Sequence, residues 1–161
     1  MTTVAWDGIE LAADCMSHFG DTPLRCRLIP ISQEPKHADI LYTLLSERTP
    51  AQSISHRGMP TREEHEAFVR AQPYVAWYLI HNEARGYVGS VYLTRHREVG
   101  LFIFVGDQGR RFGRAALEAL RVAHPGRLLA NINPANEASI RFFTAAGARH
   151  IQNTYSLEPS T

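Results

Sequence analysis

Only two cysteines, Cys15 and Cys26, occur in 161 residues, and they form neither a metal-ligand spacing nor a disulfide framework. No apolar run approaches the ~20 residues that a membrane-spanning helix needs, and no secretory signal opens the sequence. Charge of one sign is also scarce. Seventeen Lys and Arg stand against sixteen Asp and Glu, a net +1, so no global field draws a nucleic acid or an anionic membrane. The expectation is a reduced, cytoplasmic protein with no metal site, no nucleic-acid partner and no membrane association. A composition of 44% hydrophobic and 20% charged residues is that of a globular chain able to bury its own core.

The opening "TTVAWDGIELAAD" predicts a hairpin turning at Asp7-Gly8. With the linker-like "MSHFGDTP" it sets residues 1–23 apart from a domain over 24–161. "LRCRLIPI" alternates as a strand, and "KHADILYTLLSER" places Ile40, Leu41, Leu44 and Leu45 on one helical face. "TPAQSISHRGMP" is a polar loop. "TREEHEAFVRA" opens a helix with Thr61 as cap and Glu64 three residues on, a capping box. The strands "YVAWYLI", "GYVGSVYL" and "EVGLFIFV" follow with short turns, as in an antiparallel meander. A helix, a strand "RLLANIN", a helix "NEASIRFFTAAG" ending at Gly147 and a last strand "ARHIQNTYSL" complete the order. The fold class is α+β, a mixed but mostly antiparallel central sheet flanked by helices.

The segment "GDQGRRFGRAALEAL", residues 106–120, joins a strand end to a helix start. It brings the glycines Gly109 and Gly113 and three arginines, Arg110, Arg111 and Arg114, to the point where a helix leaves about four N–H groups unpaired. Backbone access and fixed positive charge there suit a small anion such as a phosphate. The loop lacks the lysine and hydroxyl of GxxxxGK[ST] and the spacing of GxGxxG, which excludes both nucleotide fingerprints.

Two motifs in this order resemble those of the GNAT family of acyl-CoA-dependent N-acetyltransferases, over about residues 24–157. "QGRRFGRAAL" is similar to the family's Gln/Arg-x-x-Gly-x-Gly/Ala pyrophosphate loop at Gln108, Gly109, Gly113 and Arg114, with Arg111 in place of the first motif glycine. An Arg111 with ordinary helical dihedrals would keep its N–H inward and its side chain outward. "NPANEASIRFFTAAGA" is similar to the family's N-x-x-[AS]-x-x-x-Y-x-x-x-G-F segment at Asn136, Ala138, Ser139 and Gly147. Phe143 stands where many members carry a tyrosine that protonates the departing thiolate. A thiolate leaves without full protonation because its conjugate acid has a pKa of only about 8.5, and Tyr92, Tyr155 or water are substitutes.

The resemblance implies acetyl-CoA as co-substrate, held by Gln108 to Arg114 (Phe112 included), Asn136, Ser139 and Phe143. It implies that the backbone N–H groups of Ile103 and Val105 pair with the pantetheine arm, with Asn131 and Asn136 across the splayed sheet. Transfer would be a direct attack by a small-molecule amine. Glu98 stands where several members place a carboxylate that takes the amine's proton through water; an ion pair with Arg95 or Arg97 is its bland alternative. His56 and His65 lie in the segments that would line the acceptor, with His65 otherwise a helix-surface residue. Trp77 and Tyr78 point to opposite faces, one to the core and one toward the acceptor. Pro60, Glu64 and His65 resemble the acceptor region of members acting on nucleotide-linked amino sugars, and ribosomal-protein acetyltransferases share part of that pattern. A homodimer stays open. Two rival readings are an acyl-CoA-binding protein without turnover and an N-terminal-threonine hydrolase relic built on Thr2.

Overall fold

A computed structural model describes residues 11–15 (backbone only), 24–32, 34–53 and 58–157. The elements are β1 (Leu11–Cys15), β2 (Leu24–Pro30), α1 (Pro35–Ser46), α2 (Arg62–Ala71), β3 (Ala76–Asn82), β4 (Gly86–Leu93), β5 (Val99–Ile103), α3 (Phe112–Ala123) and α4 (Glu137–Ala145), with short 3-10 turns at Pro50–Gln52 and Val105–Asp107. The Asp7-Gly8 turn, Thr2 and the 16–23 linker lie outside the described residues.

The strands form one sheet in the order β1-β2-β3-β4-β5, every neighbouring pair antiparallel. The expected meander is β3-β4-β5, and β1 pairs with β2 in the same sheet. Side-chain alternation divides the apolar residues between two faces. On one face α3 packs across the sheet, its buried stripe of Phe112, Ala115, Ala116, Ala119 and Leu120 set against Leu28, Val88, Val91 and Leu93. Three alanines in that stripe let the helix approach the strands closely. On the other face α1 and α2 cover Leu79 with Ile31, Leu41 and Val69.

The start of α2 follows the sequence reading. Thr61 Oγ1 accepts from the Glu64 N–H at 3.2 Å, and Glu64 Oε2 accepts from the Thr61 N–H at 2.8 Å. Two expected strands do not form. In 127–133 a single parallel bridge joins Glu98 to Leu129, closed by Val99 N–H to Leu129 O and Leu129 N–H to Arg97 O, both at 2.8 Å. Beyond it Asn131 and Asn133 turn to Glu98 and to Ser53 O, so the segment leaves β5 instead of extending the ladder. Residues 149–157 are exposed and carry no backbone ladder among the described residues. Their alternation states which side chains share a face, but a strand also needs an edge to pair with.

Tyr92 on β4 stands opposite Gly100 on β5, and a Cβ added at Gly100 would overlap the Tyr92 ring. This glycine is required by a close approach. Gly100→Ala should therefore lose about 1–3 kcal/mol, the usual cost of overpacking, read as a lower urea midpoint. The Tyr92→Ala background should restore most of that loss; an equal loss in both backgrounds would place the cause elsewhere.

Candidate active site

The cleft begins where β5 and the 127–133 segment part company. Up to the Glu98–Leu129 bridge the edge of β5 is paired; beyond it the edge is open. Val99 donates outward to Leu129 while Phe104 donates inward to Val88 O. By the alternation of an antiparallel strand, Leu101 and Ile103 also direct their N–H groups outward, into the open side. A cavity of about 740 Å³ lies there, within the size of small-molecule sites.

Three elements wall this cavity. From β5 come Leu101, Phe102 and Ile103. From the loop and first turn of α3 come Gln108, Gly109, Arg111, Phe112, Gly113 and Arg114, and from α4 come Asn136, Ser139, Phe142 and Phe143. The last three and Ala146 recur at i, i+3, i+4 and i+7, one helical stripe. Asn136 caps α4 by accepting from the Ser139 N–H at 3.1 Å. Leu101, Phe102, Phe142 and Gln52 were not singled out from the sequence. The stripe through Phe142 was legible there, and the alternation of "GLFIFV" could have flagged Leu101.

The loop before α3 has the features of an anion cradle. Among the described residues no backbone carbonyl accepts from the N–H groups of Gly109 to Arg114, and no side chain caps α3. Gly109 and Arg111 both adopt left-handed backbone, with φ of 74° and 66°. The expectation of helical dihedrals at Arg111 is thus corrected: arginine keeps the left-handed turn, and its side chain is exposed. Arg114 pairs with Glu118 at 3.0 Å, while neither Arg110 nor Arg111 has a carboxylate partner among the described residues. Behind the loop the Arg85–Asp107 ion pair fixes the largely buried Asp107 to the β3–β4 turn.

Several expected residues are placed differently. The Val105 N–H does not face the cavity; it donates to Glu47 Oε2 at 2.8 Å. Leu101 replaces it as the second free N–H beside Ile103. Gln108 lines the cavity while its amide donates to Ile103 O at 3.2 Å. Arg110 and Asn131 do not line it; Asn131 instead donates to Glu98 Oε1 at 2.9 Å. Glu98 also accepts from the Thr94 hydroxyl at 3.2 Å, and it pairs with neither Arg95 nor Arg97. Its carboxylate therefore sits at the head of the split, on two neutral donors.

On the α1–α2 side, His65 is buried in the helix packing rather than on the surface. Its ring is buried against Tyr42, and Nε2 lies 3.0 Å from Ala38 O. Burial holds its pKa below the ordinary histidine value, opposed by the Ala38 hydrogen bond. The neutral form thus favours the fold, a contribution present above about pH 6.5 and lost on acidification. Glu64 is committed to its cap, and the Pro60 carbonyl accepts from the Tyr42 hydroxyl at 3.2 Å. His56 lies outside the described residues. Trp77 and Tyr78 do face opposite sides: Trp77 donates to Ser90 Oγ at 3.0 Å, and the Tyr78 hydroxyl lies 2.9 Å from His124 Nε2. Tyr155 is 85% exposed. Among the described residues no group of three or more His, Cys, Asp or Glu could hold a metal ion, and no helix is long and apolar enough to cross a membrane.

Left-handed backbone costs a non-glycine residue about 1–2 kcal/mol, whereas glycine adds roughly 0.5–1 kcal/mol of chain entropy to the unfolded state. Arg111→Gly should therefore raise stability by up to about 1 kcal/mol in chemical denaturation. A clear loss of stability would show that the arginine side chain makes a compensating contact.

No protein-family model and no curated protein sequence matches the chain. Solved structures do. An acetyltransferase from Thermus thermophilus is 22% identical with a TM-score of 0.60, covering 80% of this chain and 89% of that one. A putative GnaT-family acetyltransferase from Bordetella pertussis is 20% identical with a TM-score of 0.66, covering 82% and 89%. A spermidine/spermine N-acetyltransferase, SpeG from Vibrio cholerae in mutant forms, is 12% identical with a TM-score of 0.59, covering 76% and 78%. The chain has the fold of the GNAT acetyltransferases, the family its two motifs resemble.

Proposed function

We propose that the protein is an acetyl-CoA-dependent N-acetyltransferase that acts on a primary amine of a small polar acceptor. The observation that carries this reading is the continuity of one cavity from the free N–H groups of β5 to the unpaired N–H groups at the start of α3. An added strand-like arm would meet the Leu101 and Ile103 N–H groups, and a pyrophosphate would meet those of Gly109 to Arg114. The left-handed backbone at Arg111 keeps the loop in the conformation a glycine would give it. That weakens the rival of a silent acyl-CoA-binding protein, which drew on this departure. A nucleotide-linked amino sugar is one acceptor of the required kind, carrying both an amine and polar groups.

Acetyl-CoA supplies a thioester carbonyl carbon to which the amine nitrogen bonds as the carbon–sulfur bond breaks. The chain's residues position the groups and move the protons. Open N–H groups on β5 hold the arm in register, and the aromatic rings of Phe142 and Phe143 exclude water from one wall. Phe143 has no proton to give, so the thiolate departs as such or takes a proton from water. Glu98 is the residue for accepting the amine's proton through water, because it lies at the head of the split with its carboxylate held on Thr94 and Asn131.

Binding of acetyl-CoA is the first test. A ligand that binds only the folded state adds roughly 2.7 kcal/mol at a hundredfold excess over Kd, which should raise Tm by several degrees. A Cβ at Gly113 would meet Leu101 and Phe142 at 3.4 Å, ordinary contact. Gly113→Val should therefore fold but push bulk between two cavity walls and lose most of the acetyl-CoA shift. A full shift in that variant would count against the loop before α3 as the binding site, and no shift in the wild type would overturn the cofactor assignment.

Glu98→Gln separates proton transfer from scaffolding. The variant should lower kcat/KM near neutral pH by about 10²–10⁴-fold, with partial recovery at high pH where free amine is abundant. An unchanged pH–rate profile would remove Glu98 from the reaction and make His56 the next side chain to replace.

A further inference from the structure

Arg48 follows α1 and projects onto the sheet face opposite α3. Its guanidinium lies 3.5 Å from the centre of the Phe102 ring. Its other neighbours are phenols. Tyr92 and Tyr74 lie beside it, stacked on each other with ring centroids 4.0 Å apart and planes 7° from parallel. Among the described residues no carboxylate faces this cation: Glu47 is turned to the Val105 N–H, and Glu98 is held by Thr94 and Asn131. Burial lowers the Arg48 pKa from its ordinary value and pushes that of Tyr74 up. Tyr74 therefore stays neutral, and the guanidinium remains charged at neutral pH.

A guanidinium carries five N–H donors, and no carboxylate among the described residues accepts from them. Arg48 is half-buried, and withdrawing a cation even partly from water without an opposing charge is costly. Stacking on Phe102 occupies the flat face and leaves the edge, the part whose fork fits two oxygens of a carboxylate or phosphate. Phe102 is also a wall of the cavity, as is Gln52, which follows Arg48 on the same side. The cation thus stands behind a ring that lines the cavity.

We propose that Arg48, held on Phe102 beside Tyr92, selects an acceptor amine that carries an anionic group, a carboxylate or a phosphate. The inference rests on the acetyltransferase reading and names the substrate class of the same site. It places a polyamine such as spermidine among the poor acceptors, because an approaching polycation would meet an unneutralised positive charge.

Two matched pairs test it: phenylalanine against phenethylamine, and O-phosphoethanolamine against ethanolamine, with spermidine as the cationic control. Release of CoA thiol is followed for the wild type, Arg48→Met and Arg48→Lys, and the Tm shift with acetyl-CoA confirms that each variant is folded and binds its co-substrate. In the wild type at least one anionic member should exceed its neutral partner in kcat/KM by about 10- to 100-fold, the worth of a hydrogen bond to a charged group. Which pair shows the preference tells carboxylate from phosphate. The ratio should collapse toward one in Arg48→Met and survive in part in Arg48→Lys. Equal or better use of the neutral members or of spermidine, or a preference that survives Arg48→Met, would overturn the inference and leave the acetyltransferase reading standing. Turnover of none of the five amines would overturn both. Should Arg48→Met fail to fold, the Arg48→Lys ratio decides, with a preference as large as the wild type's counting against the fork.

Discussion

One pair of 2.8 Å hydrogen bonds, on either side of Glu98 and Leu129, is where the sheet stops being a sheet. Had the 127–133 segment continued along β5, the N–H groups of Leu101 and Ile103 would be spent on a ladder. Because the segment turns away, those groups stay open in a cleft whose far wall is α4. An unpaired strand edge is ordinarily a liability; here it faces a cavity rather than bulk solvent. The cleft's edge is therefore made chiefly of backbone, set by the path of the chain more than by particular side chains.

The other parts keep that opening in place. The alanine stripe of α3 brings the helix onto the sheet, so its first turn reaches the end of β5. Asp107, paired with Arg85, ties the intervening turn to the β3–β4 connection. Gly113 then passes between Leu101 and Phe142 at contact distance, which joins β5, α3 and α4 around one volume. Surface pairs such as Arg114–Glu118 contribute little to this, about 0–1 kcal/mol each.

Much of this was readable in the residues. The Thr61–Glu64 capping box, the β3-β4-β5 meander and the helix following "QGRRFG" all rest on local signals of spacing, caps and turn formers. The 127–133 and 148–157 segments looked equally strand-like, yet whether a strand forms depends on a partner edge that no local pattern reports. At the site, the loop before α3 was legible from its glycines and arginines at a strand-to-helix junction, and Ser139 and Phe143 because a helix repeats its face. Val105 was misplaced because Glu47, 58 residues away in sequence, takes its N–H. Asn131 was misplaced for the same kind of reason. His65 shows the limit from the other side: a residue type suited to proton transfer turned out to be spent on Ala38 O in the helix packing.

Glu47 and Arg48 are consecutive, and they face different tasks. The first holds the backbone where β5 gives way to the loop before α3; the second holds the ring of Phe102 from the opposite face. The end of α1 therefore touches the chain both where β5 gives way to the loop before α3 and on the opposite sheet face. Were ligands bound on both sides, their coupling through this link would be reciprocal: what lowers the ordering cost on one side would lower it on the other by the same amount. Coupling of that kind would be carried by two adjacent side chains rather than by a moving domain.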